Sequence, residues 1–151
     1  MPRGKKDPHD WPSLNSWLYS IDIKREQIRE NFFYSALVNY FPGSNGGSHR
    51  IPTKEEIEKD RDLLIETIKN FGPEIVVPVG RLSISYCLMQ KVLPLKETVG
   101  KIFYKDPYLT LGSERIIIPF PHPSGASTWY NKKENKMLLL KSLKLLKSNL
   151  V

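Results

Sequence analysis

The histidine at position 122 stands in a short segment whose residue types suit an anionic ligand. Pro121 and Pro123 flank it and stiffen the backbone on both sides. Ser124 and Ser127 follow and offer two hydroxyls. Small hydroxyl residues with free backbone amides suit a phosphate oxygen, and an imidazole can donate a hydrogen bond or exchange a proton near neutral pH. A turn whose histidine is merely exposed or satisfied explains the same residues.

Apolar segments bounded by turn-forming residues predict the strands that position this loop. Residues 74–80 form a short apolar run of the kind found in a central parallel strand. Residues 31–39 are dense in aromatic and aliphatic side chains, which predicts a buried strand, and a loop follows at 42–48. The full set of predicted strands covers residues 31–39, 74–80, 101–104, 108–111 and 114–121.

Three helices are predicted between and after these strands. Thr53 with Glu56 forms a capping box that opens a helix through Ile68. A second, short helix is expected over residues 81–93. A long helix closes the chain after Trp129. Its buried stripe is predicted from the spacing of Leu139, Leu143, Leu146 and Leu150. Residues 1–20 read as an irregular arm with one short helical turn.

This order of elements predicts an α/β fold, a three-layer α/β/α sandwich with a mainly parallel central sheet in one domain over residues 1–151. Ligands of such sheets bind in the crevice beyond the carboxyl ends of the strands. The segments expected there are residues 39–50, 80–83 and 121–129. The turn at Gly80 and Arg81 lacks the spacing of a phosphate-binding glycine loop, so we interpret it as structural.

The positive charge of the chain is concentrated near its C-terminus. The sequence has 23 Lys and Arg against 16 Asp and Glu, a net charge of +7. Residues 131–151 hold six lysines and one acid, Glu134. Lys133, Lys136, Lys144 and Lys147 share one helix face, which could follow a nucleic-acid backbone or simply be solvated.

Several classes of protein are excluded or disfavoured by composition. The apolar stretches are too short to span a membrane, and the charged start lacks the apolar region of a secretory signal, so a cytoplasmic location is expected. Cys87 is the single cysteine, so neither an internal disulfide nor an iron–sulfur cluster is expected. Its apolar neighbours indicate a buried core thiol.

The segment from Phe120 to Ser127 resembles the second motif of the uracil-DNA glycosylase superfamily, His-Pro-Ser followed by a small or apolar residue. Upstream blocks resemble the same superfamily in order. They are Asn39-Tyr-Phe-Pro, Arg50 with a Pro-Thr and an acidic helix start, and the strand and turn of residues 73–81. The likeness is to the family-4-like and single-strand-selective branches and spans residues 31–150.

The resemblance implies excision of a damaged base, commonly uracil, from DNA, without metal or other cofactor. His122 would donate a hydrogen bond to the base as negative charge develops on it. Asn39 would read the edge of the extruded base, although a shifted alignment would leave it a turn former. Ser124, Gly125, Ser127 and Arg50 would contact DNA phosphates. Where relatives carry a bulky wedge this chain has Ala126, and Trp129 or Tyr130 could substitute.

The sequence also departs from the family pattern. The Gly-rich motif that positions the attacking water does not occur in residues 1–30, so a core truncated at the N-terminus is expected. The residues that could position the water in place of this motif are Asp7, His9, Asp10 and Asp22. Two alternatives remain open. The chain could be a catalytically silent relic that binds nucleic acid, or a domain that binds a small-molecule nucleotide or nucleoside. In the second case free uracil would compete for the site and an oligonucleotide would not. Oligomeric state is not indicated.

Overall fold

The computed structural model describes residues 11–34, 44–45, 48–49, 53–107, 112–123 and 129–150. The helices are α1 (Pro12–Ser20), α2 (Arg25–Asn31), α3 (Lys54–Phe71), α4 (Arg81–Leu88) and α5 (Lys133–Asn149). The strands are β1 (Ser44–Asn45), β2 (Ser48–His49), β3 (Ile75–Val76), β4 (Phe103–Lys105) and β5 (Arg115–Ile117). Two short 3₁₀ turns occupy Leu95–Glu97 and Trp129–Asn131.

Three strands form the main described sheet, in the order β3-β5-β4. β3 pairs with β5 in parallel, as predicted, whereas β4 pairs with β5 antiparallel. The α/β class is therefore confirmed, but the described strands form a mixed sheet rather than a mainly parallel one. β5, and not the strand at 74–80, lies in the middle of these three. Separately, β1 pairs antiparallel with β2, in and just after the segment predicted as a loop.

Successive residues of an extended segment point to opposite faces of a sheet, so Ile117 at the end of β5 and Ile118 just after it face different helices. Ile117 packs into a cluster with residues of α3 and α4, among them Leu64 and Ile84. Ile118 packs into a second cluster, built by α1, α2 and α5. The predicted stripe on α5 is confirmed, since Leu139, Leu143 and Leu146 are buried there and Leu150 packs against them.

The N-terminal region differs from its prediction. Residues 12–20 form α1, which buries Leu14 and Leu18 in the second cluster, so this part of the expected irregular arm is a helix. Asn31 ends α2 instead of opening a strand, and Phe32, just after the helix, is extended. Helix α2 was missed because its seven polar-rich residues bury only Ile28. Residues 35–39 of the predicted strand, and the predicted strand at 108–111, lie outside the described residues.

Helix α4 is five residues shorter than predicted. Met89 adopts a left-handed conformation with φ of 54°, and its N–H donates back to the carbonyls of Ser85 and Tyr86. Such a cap ends a helix by satisfying its last carbonyls. Residues 89–93 therefore lie outside the helix. Among the described helices, none is long and apolar enough to cross a membrane.

Candidate functional site

The parallel pairing of β3 and β5 extends beyond the two strands and leads directly to His122. Val79 and Phe120 form an isolated parallel bridge. The Phe120 N–H donates to the Pro78 carbonyl at 3.0 Å, and the Gly80 N–H donates to the Phe120 carbonyl at 2.9 Å. His122 follows two residues later, at the carboxyl ends of the two strands, where α/β sheets bind ligands.

Gly80 forms the surface on which His122 rests. Its φ is +88°, a conformation that favours glycine, and it occupies the N-cap of α4. A Cβ at this position would lie 3.5 Å from the His122 Cβ and 3.7 Å from its Cδ2. The backbone turn and the histidine are therefore in close contact. Gly80 and Arg81 form the turn that opens α4, and the interpretation of this turn as purely structural stays a prediction.

The local sequence directs the imidazole outward. Pro121 and Pro123 are buried on either side, whereas His122 itself is exposed. Part of the ring is nevertheless covered by protein, and this burial lowers the pKa of His122 below its ordinary value of 6.5. The neutral imidazole is thereby favoured near pH 7, and it carries one N–H donor and one acceptor nitrogen.

Trp11 covers His122 from the N-terminal side of the chain. The two ring centroids are 5.5 Å apart, with the planes inclined by 58°. Tyr34 meets the other side of Trp11 edge-on, with centroids 6.3 Å apart. The Tyr34 hydroxyl donates to the Asn15 Oδ1 in α1, and burial raises the pKa of Tyr34 to about 12. An aromatic row of Trp11 and Tyr34 therefore forms one wall beside the histidine.

Sequence reasoning did not assign this wall to the site. Trp11 lies in the segment that the sequence predicts as an irregular arm, and Tyr34 lies in the apolar run that it predicts as a strand. No local pattern links position 11 to position 122, because their contact depends on how α1 packs against the sheet. A tryptophan just before the helix that starts at Pro12 indicates that its side chain anchors the helix. It does not indicate which residues the side chain packs against.

Most of the other predicted site residues lie outside the described part of the chain. They are Asn39, Arg50, Ser124, Gly125 and Ser127, together with Asp7, His9 and Asp10. Asp22 is described, and its carboxylate forms an ion pair of 2.6 Å with Lys24. It follows the C-terminal end of α1, whereas Trp11 adjoins His122 at the N-terminal end. The structure does not bring Asp22 to His122.

Trp129, one of the suggested wedge residues, lies in the turn that leads into α5. It begins the 3₁₀ turn, and its carbonyl accepts a hydrogen bond from the Asn135 Nδ2 at 2.6 Å. These contacts describe a helix-entry residue that is half-buried. Its role as a wedge stays a prediction. Within the described residues, no three His, Cys, Asp or Glu side chains gather as a metal site.

A shallow groove lies at the opposite end of the sheet. Its volume is about 330 Å³, and it is lined by Glu74, Tyr104, Glu114, Arg115 and Ile116. These residues stand at the amino end of β3 and β5, away from His122. Two glutamates at its rim disfavour a phosphate ligand. The histidine crevice, rather than this groove, is therefore the candidate site.

Comparisons with known proteins place this geometry in context. The description "Uracil DNA glycosylase superfamily" belongs to a family profile that matches residues 9–147. A type-4 uracil-DNA glycosylase of Saccharolobus solfataricus is 32% identical over 113 residues, which cover 73% of this chain and 48% of that protein. A DNA polymerase of Bacillus phage SP01 is 26% identical over 119 residues, 79% of this chain and 11% of the polymerase. The chain thus spans half or less of these relatives.

Proposed function

The chain belongs to the uracil DNA glycosylase superfamily, and on this basis we propose that it hydrolyses the N-glycosidic bond of uracil, or of a related damaged base, in DNA. The observation that carries the proposal is the position of His122, exposed over Gly80 at the carboxyl ends of β3 and β5. The proposal includes the three-layer sandwich with a mainly parallel sheet as the complete fold.

The proposed chemistry follows from the charges that form during the reaction. The bond between C1′ and the base nitrogen breaks, and its electron pair leaves with the base. An oxocarbenium-like sugar and an anionic base result. A water oxygen then bonds to C1′, and the proton that it loses neutralises the released base, directly or through solvent. A neutral His122 donates its N–H to the base oxygen on which charge grows, so it stabilises the transition state more than the substrate.

Recognition of the base and of the strand is assigned to the remaining predicted residues. We propose that the Asn39 amide, with a donor and an acceptor, reads the edge of the extruded base. The phosphate contacts are proposed for Ser124, Gly125, Ser127 and Arg50. Trp11 stands beside His122 and offers an aromatic surface at the mouth of the same crevice.

A catalytically silent DNA-binding protein is the second candidate function. The observation that favours it concerns the attacking water: Asp22, the suggested water-positioning residue that the structure describes, pairs with Lys24 instead of reaching His122. Such a protein would bind oligonucleotides in a salt-dependent manner and release no base.

The test is a cleavage assay on oligonucleotides that carry one uracil, single-stranded and duplex. Alkali breaks the strand wherever a base has been excised. We expect strand breaks with the native chain and a rate about 10²- to 10³-fold lower with His122→Ala, the loss typical of a removed oxyanion donor. A uracil-free oligonucleotide controls for nuclease activity, and circular dichroism checks that the variant is folded.

The possible outcomes separate the candidates. Breaks that persist at the native rate in His122→Ala would refute the role of this histidine. A complete lack of breaks with the native chain, accompanied by tight binding of the same oligonucleotides, would refute the glycosylase proposal and favour the silent binder.

A further inference from the structure

One face of α5 carries a band of lysines with no acidic residue among them. At 100° per residue, Lys133, Lys136, Lys144 and Lys147 fall within an arc of about 80°. All four side chains are exposed, as are Lys132, which precedes the helix, and Lys141, which lies about 60° outside the arc. We call the four central residues the lysine face.

The charges of this face are not neutralised within the helix. Glu134 is the one acid of α5, and the positions three and four residues from it are Tyr130, Asn131, Met137 and Leu138. Lysines instead follow one another at i, i+3, as in Lys133 with Lys136 and Lys144 with Lys147, a spacing at which like charges repel. A helix face that serves only solubility is stabilised by a mixture of positive and negative charges. This face carries positive charges alone, so it concentrates positive electrostatic potential.

The neighbouring elements neutralise only one end of the face. The Lys147 Nζ donates to the Asp22 carbonyl oxygen at 3.2 Å, and the Asp22 carboxylate lies within reach of its charge. In the described part of the chain, the recorded ion pair is the one between Asp22 and Lys24. The first turn of α5 contains Glu134, but among the described residues no ion pair joins it to a lysine of this face. The positive end of the helix dipole adds to the potential of this turn.

The compensated end of the face lies away from His122. Lys147, in the last turn of α5, contacts Asp22 after the C-terminus of α1. Trp11, at the other end of α1, contacts His122. The last turn of α5 therefore lies at the end of α1 that is remote from the histidine.

We propose that the lysine face of α5 is a second DNA-binding surface, which holds the phosphate backbone of DNA at a distance from the nucleotide in the histidine crevice. The inference takes DNA as the ligand from the proposed function. Its 17 residues give α5 a length of about 25 Å, or about seven base pairs of duplex. Contacts of this kind supply affinity without reading sequence.

A protein partner is the competing occupant. Met137 and Leu140 lie within or beside the same arc and are 64% and 45% exposed. A partner with acidic and apolar side chains would suit them. DNA is favoured because lysine is depleted from the core of protein interfaces, whereas a row of lysines without acids is what a phosphate backbone selects.

The experiment measures binding of a labelled, uracil-free duplex of about 20 base pairs, longer than the helix, over a range of salt concentrations. The variant is Lys133→Gln with Lys144→Gln, since glutamine keeps the helix propensity of lysine. The matched control is Lys69→Gln with Lys91→Gln. It removes the same charge from exposed sites, on and just after the helices that cover the other face of the sheet.

We expect the slope of log affinity against log salt to fall in magnitude by about 2 in the α5 variant, one per lysine. Between 50 and 200 mM salt, this corresponds to about a tenfold smaller loss of affinity. The control variant should keep the native slope. Equal slopes in both variants would overturn the inference and leave the face to a protein partner.

This test does not depend on excision. A reduced slope in a chain that releases no uracil supports the lysine face and refutes the glycosylase. Excision at the native rate with an unchanged slope supports the glycosylase and refutes the lysine face.

Discussion

His122 is the residue on which the proposed chemistry depends, and its titration tests its surroundings. Because burial lowers its pKa below 6.5, we expect the NMR titration midpoint of this imidazole to lie below that value. Trp11→Ala would admit water to the ring and raise the pKa of His122 toward 6.5. A midpoint at or above 6.5 in the native chain, or one that Trp11→Ala leaves unmoved, would contradict this account.

The same shift fixes the sign of a stability effect. The folded pKa is lower than the unfolded one, so protons bind the unfolded chain more readily between the two values. The free energy of unfolding should therefore fall as the pH is lowered from about 6.5 toward the folded pKa. In His122→Ala this part of the pH dependence should disappear.

The candidate site could be predicted only in part. The proline-flanked histidine and the rule that α/β crevices open at the carboxyl strand ends were sufficient to predict that His122 and Gly80 lie in the same crevice. Trp11 could not be predicted to reach them. Its position depends on the burial of Leu14 and Leu18 against residues more than a hundred positions away, and a contact of that range has no periodicity in the sequence.

At the scale of elements, Ser142 joins three pieces of the structure through a single hydroxyl. It is fully buried on α5, accepts a hydrogen bond from the Gly100 N–H at 2.6 Å, and donates to the Pro119 carbonyl at 3.2 Å. Ser142→Ala would leave both backbone groups without this partner. We expect a loss of about 1–3 kcal/mol in the free energy of unfolding, measured by urea denaturation.

Ser148→Ala is the matched control, because Ser148 is exposed on the same helix and its hydroxyl bonds only to the Leu145 carbonyl. It should change the free energy of unfolding by less than about 0.5 kcal/mol. Alanine has a higher helix propensity than serine, so propensity alone would stabilise both variants. A similar change in the free energy of unfolding of both variants would contradict the role given to the buried hydrogen bonds.

Long periodic helices were predictable, and short elements were not. The leucine spacing of α5 and the start of α3 after Thr53 agree with the structure. The strand predicted at 31–39 was wrong at its start because high aromatic content indicates burial without fixing the backbone, and α2 ends only at Asn31. The end of α4 depends on the left-handed conformation of Met89. Glycine or asparagine usually indicates such a cap, and neither stands at this position.

At the scale of the whole molecule, the reactivity of the Cys87 thiol reports whether the chain is folded. It is fully buried beside α3 and β5, and burial raises the pKa of its thiol to about 12. Reaction with a thiol reagent requires the accessible thiolate. We expect negligible labelling of the folded chain at pH 8 and one thiol per chain in denaturant. An exposed cysteine placed by Ser148→Cys should react at once, and equally fast native labelling of Cys87 would contradict the buried position.

The packing of α1 against α5 determines when, during synthesis, the crevice can form. Trp11 leaves the ribosome early, yet the cluster that seats α1 includes Leu139, Leu143 and Leu146 of the last helix. Until those leucines emerge, a nascent chain exposes Leu14, Leu18 and one face of the sheet. A premature stop codon between Pro123 and Leu139 would therefore yield a polypeptide that retains His122 in its sequence but has lost the support for its aromatic wall.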